Sequence, residues 1–167
     1  IIVTEFKQID EGMEWGDICW FEWCDELVIY GSKHRTSANK KIICRLHSYE
    51  AFTPYPTLVK WENVDCTIFV SEHIRATVLK GTSMDMKKTI VIPNGVNLSK
   101  YNFKERESGF NIAYAGYINY KKGPMLLLQT INELVKRDNR YKLYIAGEFQ
   151  DLRYIQYFRQ MLNEMNL

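Results

Sequence analysis

No run of apolar residues in this chain approaches the roughly 18 needed to cross a bilayer, and residues 1–20 lack the basic segment, apolar block and small-residue cleavage site of a secretory signal. A cytoplasmic chain is therefore expected. Neither sign of charge dominates, since 22 basic against 20 acidic side chains leave a net +2 scattered along the sequence. Such a balance makes no field strong enough to imply nucleic acid or an anionic membrane surface as partner. Cysteine is sparse: Cys19, Cys24, Cys44 and Cys66 form no C-x-x-C pair and have no neighbouring histidine at metal-ligand spacing. That argues against a zinc site or a disulfide framework and for small buried hydrophobes. Internal repeats and low-complexity tracts are missing too, which excludes solenoids and tails.

What is present is the balance of a folded globular protein, with 46% hydrophobic and 25% charged residues over 167 positions. Aromatic content is high at 14%, but these residues sit in strand-like runs and on helical faces rather than alternating with basic residues as a nucleic-acid platform would. Short runs rich in Ile, Val, Tyr and Phe predict buried strands over 18–21, 41–46, 66–70, 89–92, 110–115 and 141–146. Between them, helical spacing predicts helices over 22–31, 56–64 and 72–80, the last with Ser71 as N-cap and Gly81 as stop. The clearest helix is predicted over 124–137, where Leu127, Leu128, Ile131, Leu134 and Val135 make one apolar stripe and Pro124 suits the first turn. A last helix is predicted over 151–166, and residues 1–6 are read as a further strand.

Strands alternating with helices at this spacing imply an α/β protein with parallel sheets covered on both faces. The apolar periodicity stops over residues 97–109, where the sequence turns polar and charged before a fresh strand begins. That break predicts a domain boundary. Residues 1–97 form one part, 98–109 a linker and 110–167 the start of a second part. Two strands and two helices bury too little apolar surface to complete a domain, so both parts are expected to be incomplete in this chain.

Three strings carry chemistry. Ile92-Pro93-Asn94-Gly95-Val96-Asn97 ends a strand, with Pro93 removing a donor and Asn94-Gly95 tolerating positive φ in a turn. Residues 112–124, reading IAYAGYINYKKGP, join a strand to the clearest helix. Gly116 at the strand end lets backbone approach a ligand closely, and the helix start beyond Gly123 offers unpaired N–H groups and a positive dipole end suited to phosphate. Lys121 and Lys122 add full charges there. In Lys41 to Glu50, a strand delivers His47 and Glu50 into the loop after it, and ligands of open parallel sheets bind at such strand ends. Arg45 and Glu50 are also read as partners of each other on the surface.

These strings together resemble family 4 retaining glycosyltransferases of GT-B fold, over nearly the whole chain after about residue 15. The first resembles the family's I-P-N-G-V-D entry to the interdomain hinge, with Asn97 in place of the usual Asp. The second resembles its diphosphate grip, a glycine-arginine pair followed by a lysine-glycine helix start: Gly116, Lys122 and Gly123 match, and Tyr117 stands where Arg is common. His47 falls where the family carries a histidine that contacts the transferred sugar. Residues 65–71 and 141–148 resemble its strands ending in V-S and A-G-E.

The resemblance implies two Rossmann-like domains. Residues 1–97 would be the later part of an acceptor-side domain and 110–167 the first part of a nucleotide-sugar-binding domain. It implies transfer of a hexose from a nucleoside diphosphate sugar to a glycan or lipid-linked hydroxyl with retention. His47 would act in catalysis, and Gly116, Tyr117, Lys121, Lys122 and Gly123 would hold the donor. No metal or other cofactor is implied, no nucleic acid partner, and peripheral association with the inner face of the cell membrane fits the lipid-linked acceptors of such enzymes. Other readings are a GT-B epimerase or phosphorylase, or a non-catalytic binding or assembly subunit. The family's E-x7-E element is not visible; Glu14 and Glu22 share its spacing but lie in the acceptor-side part. Alone, this chain is expected to show negligible transfer.

Overall fold

The computed structural model describes residues 5–167, so the strand expected over residues 1–6 lies largely outside the described residues. The chain forms two compact units that divide between Tyr101 and Asn102.

The first unit carries helix α1 (Phe6–Trp15), strand β1 (Ile18–Phe21), helix α2 (Glu26–Lys33), strand β2 (Lys41–Leu46), the short helix α3 (Tyr55–Leu58), strand β3 (Cys66–Phe69), helix α4 (Glu72–Gly81) and strand β4 (Thr89–Val91). Helix α1 was not predicted. Its polar positions hide the signal, for only Ile9 and Met13 are buried along its length. The strands pair in parallel in the order β1-β2-β3-β4, with Ile18 opposite Lys41, Ile43 opposite Cys66 and Thr67 opposite Thr89.

Sequential parallel strands need right-handed crossovers that return over the same face. Accordingly, the face bearing Ile42, Cys44, Leu46 and Phe69 packs with Val28, Trp61, Ile74 and Val78 into one core. The opposite face is less covered than the sequence predicted: Ile18 is 65% and Trp20 51% exposed, and Ile90 is exposed as well.

The predicted strands match the observed ones within a residue at each end, whereas two helices differ. Residues 22–25 form a loop, and α2 begins only at Glu26 because the Asp25 side chain accepts the N–H of Leu27 as its N-cap. Over 56–64 the single helix expected is broken into α3 and a 3-10 turn, Trp61–Asn63. The Trp61 indole N–H donates to the Pro56 carbonyl at 2.7 Å, anchoring that fold-back. Cys24 and Cys44 are buried as expected, Cys19 and Cys66 are half-buried, and all four are free thiols.

The second unit carries strand β5 (Asn111–Ala115), helix α5 (Pro124–Arg137), strand β6 (Lys142–Ala146) and helix α6 (Leu152–Met165). The two strands are parallel, with Ile112 opposite Leu143 and Tyr114 opposite Ile145. Ile118, Leu128 and Phe158 form its core, supported by Tyr114, Leu143 and Phe149. Among the described residues no helix is long and apolar enough to cross a membrane.

Candidate functional site

In the first unit, chemistry collects where parallel strands end. Glu22 follows β1, Arg45 and His47 lie at the end of β2, and Asn94 follows β4. The His47 Nε2 lies 3.1 Å from Glu22 Oε1, and its ring stacks on Trp23 at 4.4 Å between centroids with 27° between planes. Glu22 is itself held: the Trp20 indole N–H donates to its Oε2 at 2.9 Å, and Arg45 Nε stands 3.6 Å from its Oε1. Arg45 Nη2 donates to Asn94 Oδ1 at 2.9 Å. Partial burial pushes the Glu22 carboxyl up, but the hydrogen bonds from Trp20 and His47 and the charges of Arg45 and His47 outweigh it, holding the group below the usual carboxylate range.

Glu50 is not the surface partner of Arg45 that the sequence suggested. It is 1% exposed, and its Oε2 accepts the backbone N–H of His47 at 2.7 Å. The backbone N–H of Cys24 also favours the ionised form of this carboxylate, which stands between the loops that follow β1 and β2. Burial raises its pKa, only partly offset by those two N–H groups. Its Oε1 and the Arg45 Nε are buried without a hydrogen-bond partner among the described residues. Arg45 turns to Glu22 and Asn94 because the Glu50 carboxylate faces inward, onto backbone.

The segment 92–97 also departs from expectation: neither Asn94 nor Gly95 has positive φ. The Asn94 amide serves Arg45 instead of closing a turn on itself. Asn97 supplies the hydrogen bonds of its own turn, its Oδ1 accepting from the Ser99 N–H at 3.1 Å and the Ser99 hydroxyl at 2.6 Å.

In the second unit, the loop from β5 to α5 brings Gly116, Tyr117, Lys121, Lys122 and Gly123 into one stretch of backbone. Gly116 has φ of 152° and lies so close to the next strand end that a Cβ on Gly147 would sit 1.8 Å from the Gly116 carbonyl oxygen. The Gly116 N–H donates to Ala146 at 2.9 Å and the Ile118 N–H to Glu148 at 2.8 Å, extending the pairing past the strands. Asn119 then anchors the turn, its Oδ1 accepting the Lys122 N–H at 3.2 Å and its Nδ2 donating to Gln150 at 2.6 Å. Gly123 adopts a left-handed conformation, φ 65° and ψ 34°, and Pro124 opens α5.

The first α5-type bond runs from the Leu127 N–H to the Gly123 carbonyl, so the N–H groups of Met125 and Leu126 lack intrahelical partners at the positive dipole end. Lys121 and Lys122 are exposed and form no ion pair among the described residues, and the Lys121 ammonium stands 5.9 Å from the Tyr120 ring centroid. Tyr117 is also exposed, and its carbonyl accepts from the Tyr114 hydroxyl at 2.8 Å. Among the described residues no cluster of histidine, cysteine and carboxylates is arranged to hold a metal ion.

Glu22 and Trp23 were missed as companions of His47, and Asn94 as the partner of Arg45. Glu22 was legible by the same rule that singled out His47, since both directly follow strands of one sheet. The stacking of Trp23 on His47 and the reach of Asn94 to Arg45 needed the strand order.

Parallel strands with returning helices and polar loops gathered at the carboxyl ends define an α/β fold shared with glycosyltransferases of GT-B type. Solved structures with that likeness include those of TarM: a variant of the S. aureus protein in complex with fondaparinux, alpha-GlcNAc-glycerol and UDP matches with a TM-score of 0.59 and 16% identity, covering 84% of this chain and 34% of that one. A second TarM structure matches with a TM-score of 0.54 and 15% identity, covering 83% of this chain and 33% of that one. The chain thus spans about a third of the length of these structures. No family model and no curated sequence matches it.

Proposed function

We propose that this chain is the central part of a retaining glycosyltransferase of family 4 that moves a hexose from a nucleoside diphosphate sugar to a glycan or lipid-linked hydroxyl, without a metal. The observation that carries this reading is the loop between β5 and α5. Its backbone is fixed by Gly116, Asn119 and Gly123, it ends on N–H groups without intrahelical partners at a helix start, and it bears two exposed lysines that form no ion pair among the described residues. Such a loop suits a diphosphate, whose charge grows as the sugar departs and which preorganised donors stabilise most in the transition state. Residues 1–97 would belong to the acceptor-side domain and 110–167 to the donor-side domain, joined by 98–109. His47, held at the carboxyl edge of the first sheet, would contact the transferred sugar. The TarM likeness supports the fold of this reading, and UDP and alpha-GlcNAc-glycerol in one of those complexes are a nucleotide and an acceptor-like glycoside of the kinds proposed.

The test is UDP binding measured by calorimetry on the chain and on Lys122→Ala. The variant is expected to bind at least tenfold more weakly, about 1.4 kcal/mol. Equal affinity would remove Lys122 from the phosphate grip. A second reading, a binding subunit without turnover, draws on Tyr117, whose exposed ring stands where an arginine would fork onto phosphate. Binding of a nucleotide sugar by the full-length protein with no transfer or hydrolysis would favour it.

A further inference from the structure

The proposed function leaves open how a histidine at the sheet edge is made to present one particular nitrogen. We propose that Glu22 is a positioning residue that fixes His47 as the Nε2–H tautomer, so that Nδ1 is a hydrogen-bond acceptor for a ligand hydroxyl. The inference rests on the transferase reading only for the identity of that hydroxyl, a sugar one.

Glu22 is held ionised by Trp20, Arg45 and His47, and an ionised carboxylate can only accept. The ring nitrogen 3.1 Å from its Oε1 must therefore carry the proton, and in the neutral ring the other nitrogen then carries a lone pair. Nδ1 has no hydrogen-bond partner among the described residues. Everything else about the ring is constrained: Trp23 covers one of its faces, and the backbone N–H of His47 is gripped by buried Glu50. Carboxylates facing a functional imidazole orient it and select its tautomer in the same way at metal and acyl-transfer sites. Arg45 and Trp20 keep Glu22 from turning away, since each takes a different side of the carboxylate.

The experiment is long-range proton–nitrogen correlation of the imidazole rings at about pH 8.5, above the usual histidine range. Signals are assigned by their loss in His47→Gln, because three histidines are present. The expected result is a single His47 tautomer with Nε2 protonated, and a slowly exchanging Nε2–H signal. Glu22→Leu should lose the slowly exchanging proton and give averaged tautomers.

A proton on Nδ1 in the native chain, or an unchanged pure tautomer and protected proton in Glu22→Leu, would overturn the proposal. The native spectrum alone decides the first point, so a variant that fails to fold does not shield the idea. No nucleotide or sugar is present in this measurement, so failure of the transferase reading would show in the UDP titration and not here.

Discussion

Glu50 shows at the scale of one residue how a charge becomes a structural tie. A carboxyl buried beneath two loops costs free energy when ionised, and here the N–H groups of His47 and Cys24 offset part of that cost while Oε1 goes unpartnered. Its pKa is raised in the folded state, so its contribution to stability is fully present below the ordinary glutamate value of about 4.3 and is lost as pH rises through the folded value. Asp25, raised by its own burial despite the Leu27 N–H, acts with the same sign. Replacing Glu50 with Gln keeps an oxygen for the His47 N–H and removes the ionisation. Urea midpoints measured from pH 4 to pH 7 should therefore fall less steeply for Glu50→Gln than for the native chain; parallel slopes would mean that Glu50 does not ionise in this buried position. Sequence could place Glu50 near a strand end but not inside, because burial depends on what the loop folds over.

At the scale of elements, the loop between β5 and α5 owes its shape to contact with the end of β6 more than to its own residues. Gly116 and Gly123 permit the unusual backbone, and Asn119 and Gln150 lock it, but the Gly147 backbone passes where no side chain fits. Gly147→Ala should lower stability by about 1–3 kcal/mol through overpacking and weaken UDP binding along with it, measured by thermal unfolding and calorimetry. An alanine variant of native stability and affinity would show that the close approach is not needed. The sequence made Gly116 and Gly123 visible through their spacing to Lys122, whereas Gly147 drew attention only as part of a strand end. Its partner lies thirty-one positions away, from 116 to 147, and local patterns carry no information over that distance.

At the scale of the whole molecule, strand order sets which parts are protected. In the first unit β2 and β3 are paired on both sides, while β1 and β4 each have one paired side among the described residues. Amide exchange should be slowest in β2 and β3 and faster in β1, and the opposite ranking would contradict the sheet order. The period of apolar residues alone determined that strands and helices alternate, where most of them begin and end, and that the sheets are parallel, because those properties depend on neighbours within a few positions. The same local chemistry marked His47 and the Gly116–Gly123 loop. Tertiary structure decided the rest: that Glu22 and not Glu50 stands beside Arg45 and the His47 ring, that Glu50 turns inward onto the His47 backbone, and that Asn94 reaches Arg45 across the sheet. The Glu22 and Asn94 contacts join residues far apart in the chain, and which of many distant pairs meet is settled only when the strands choose their order.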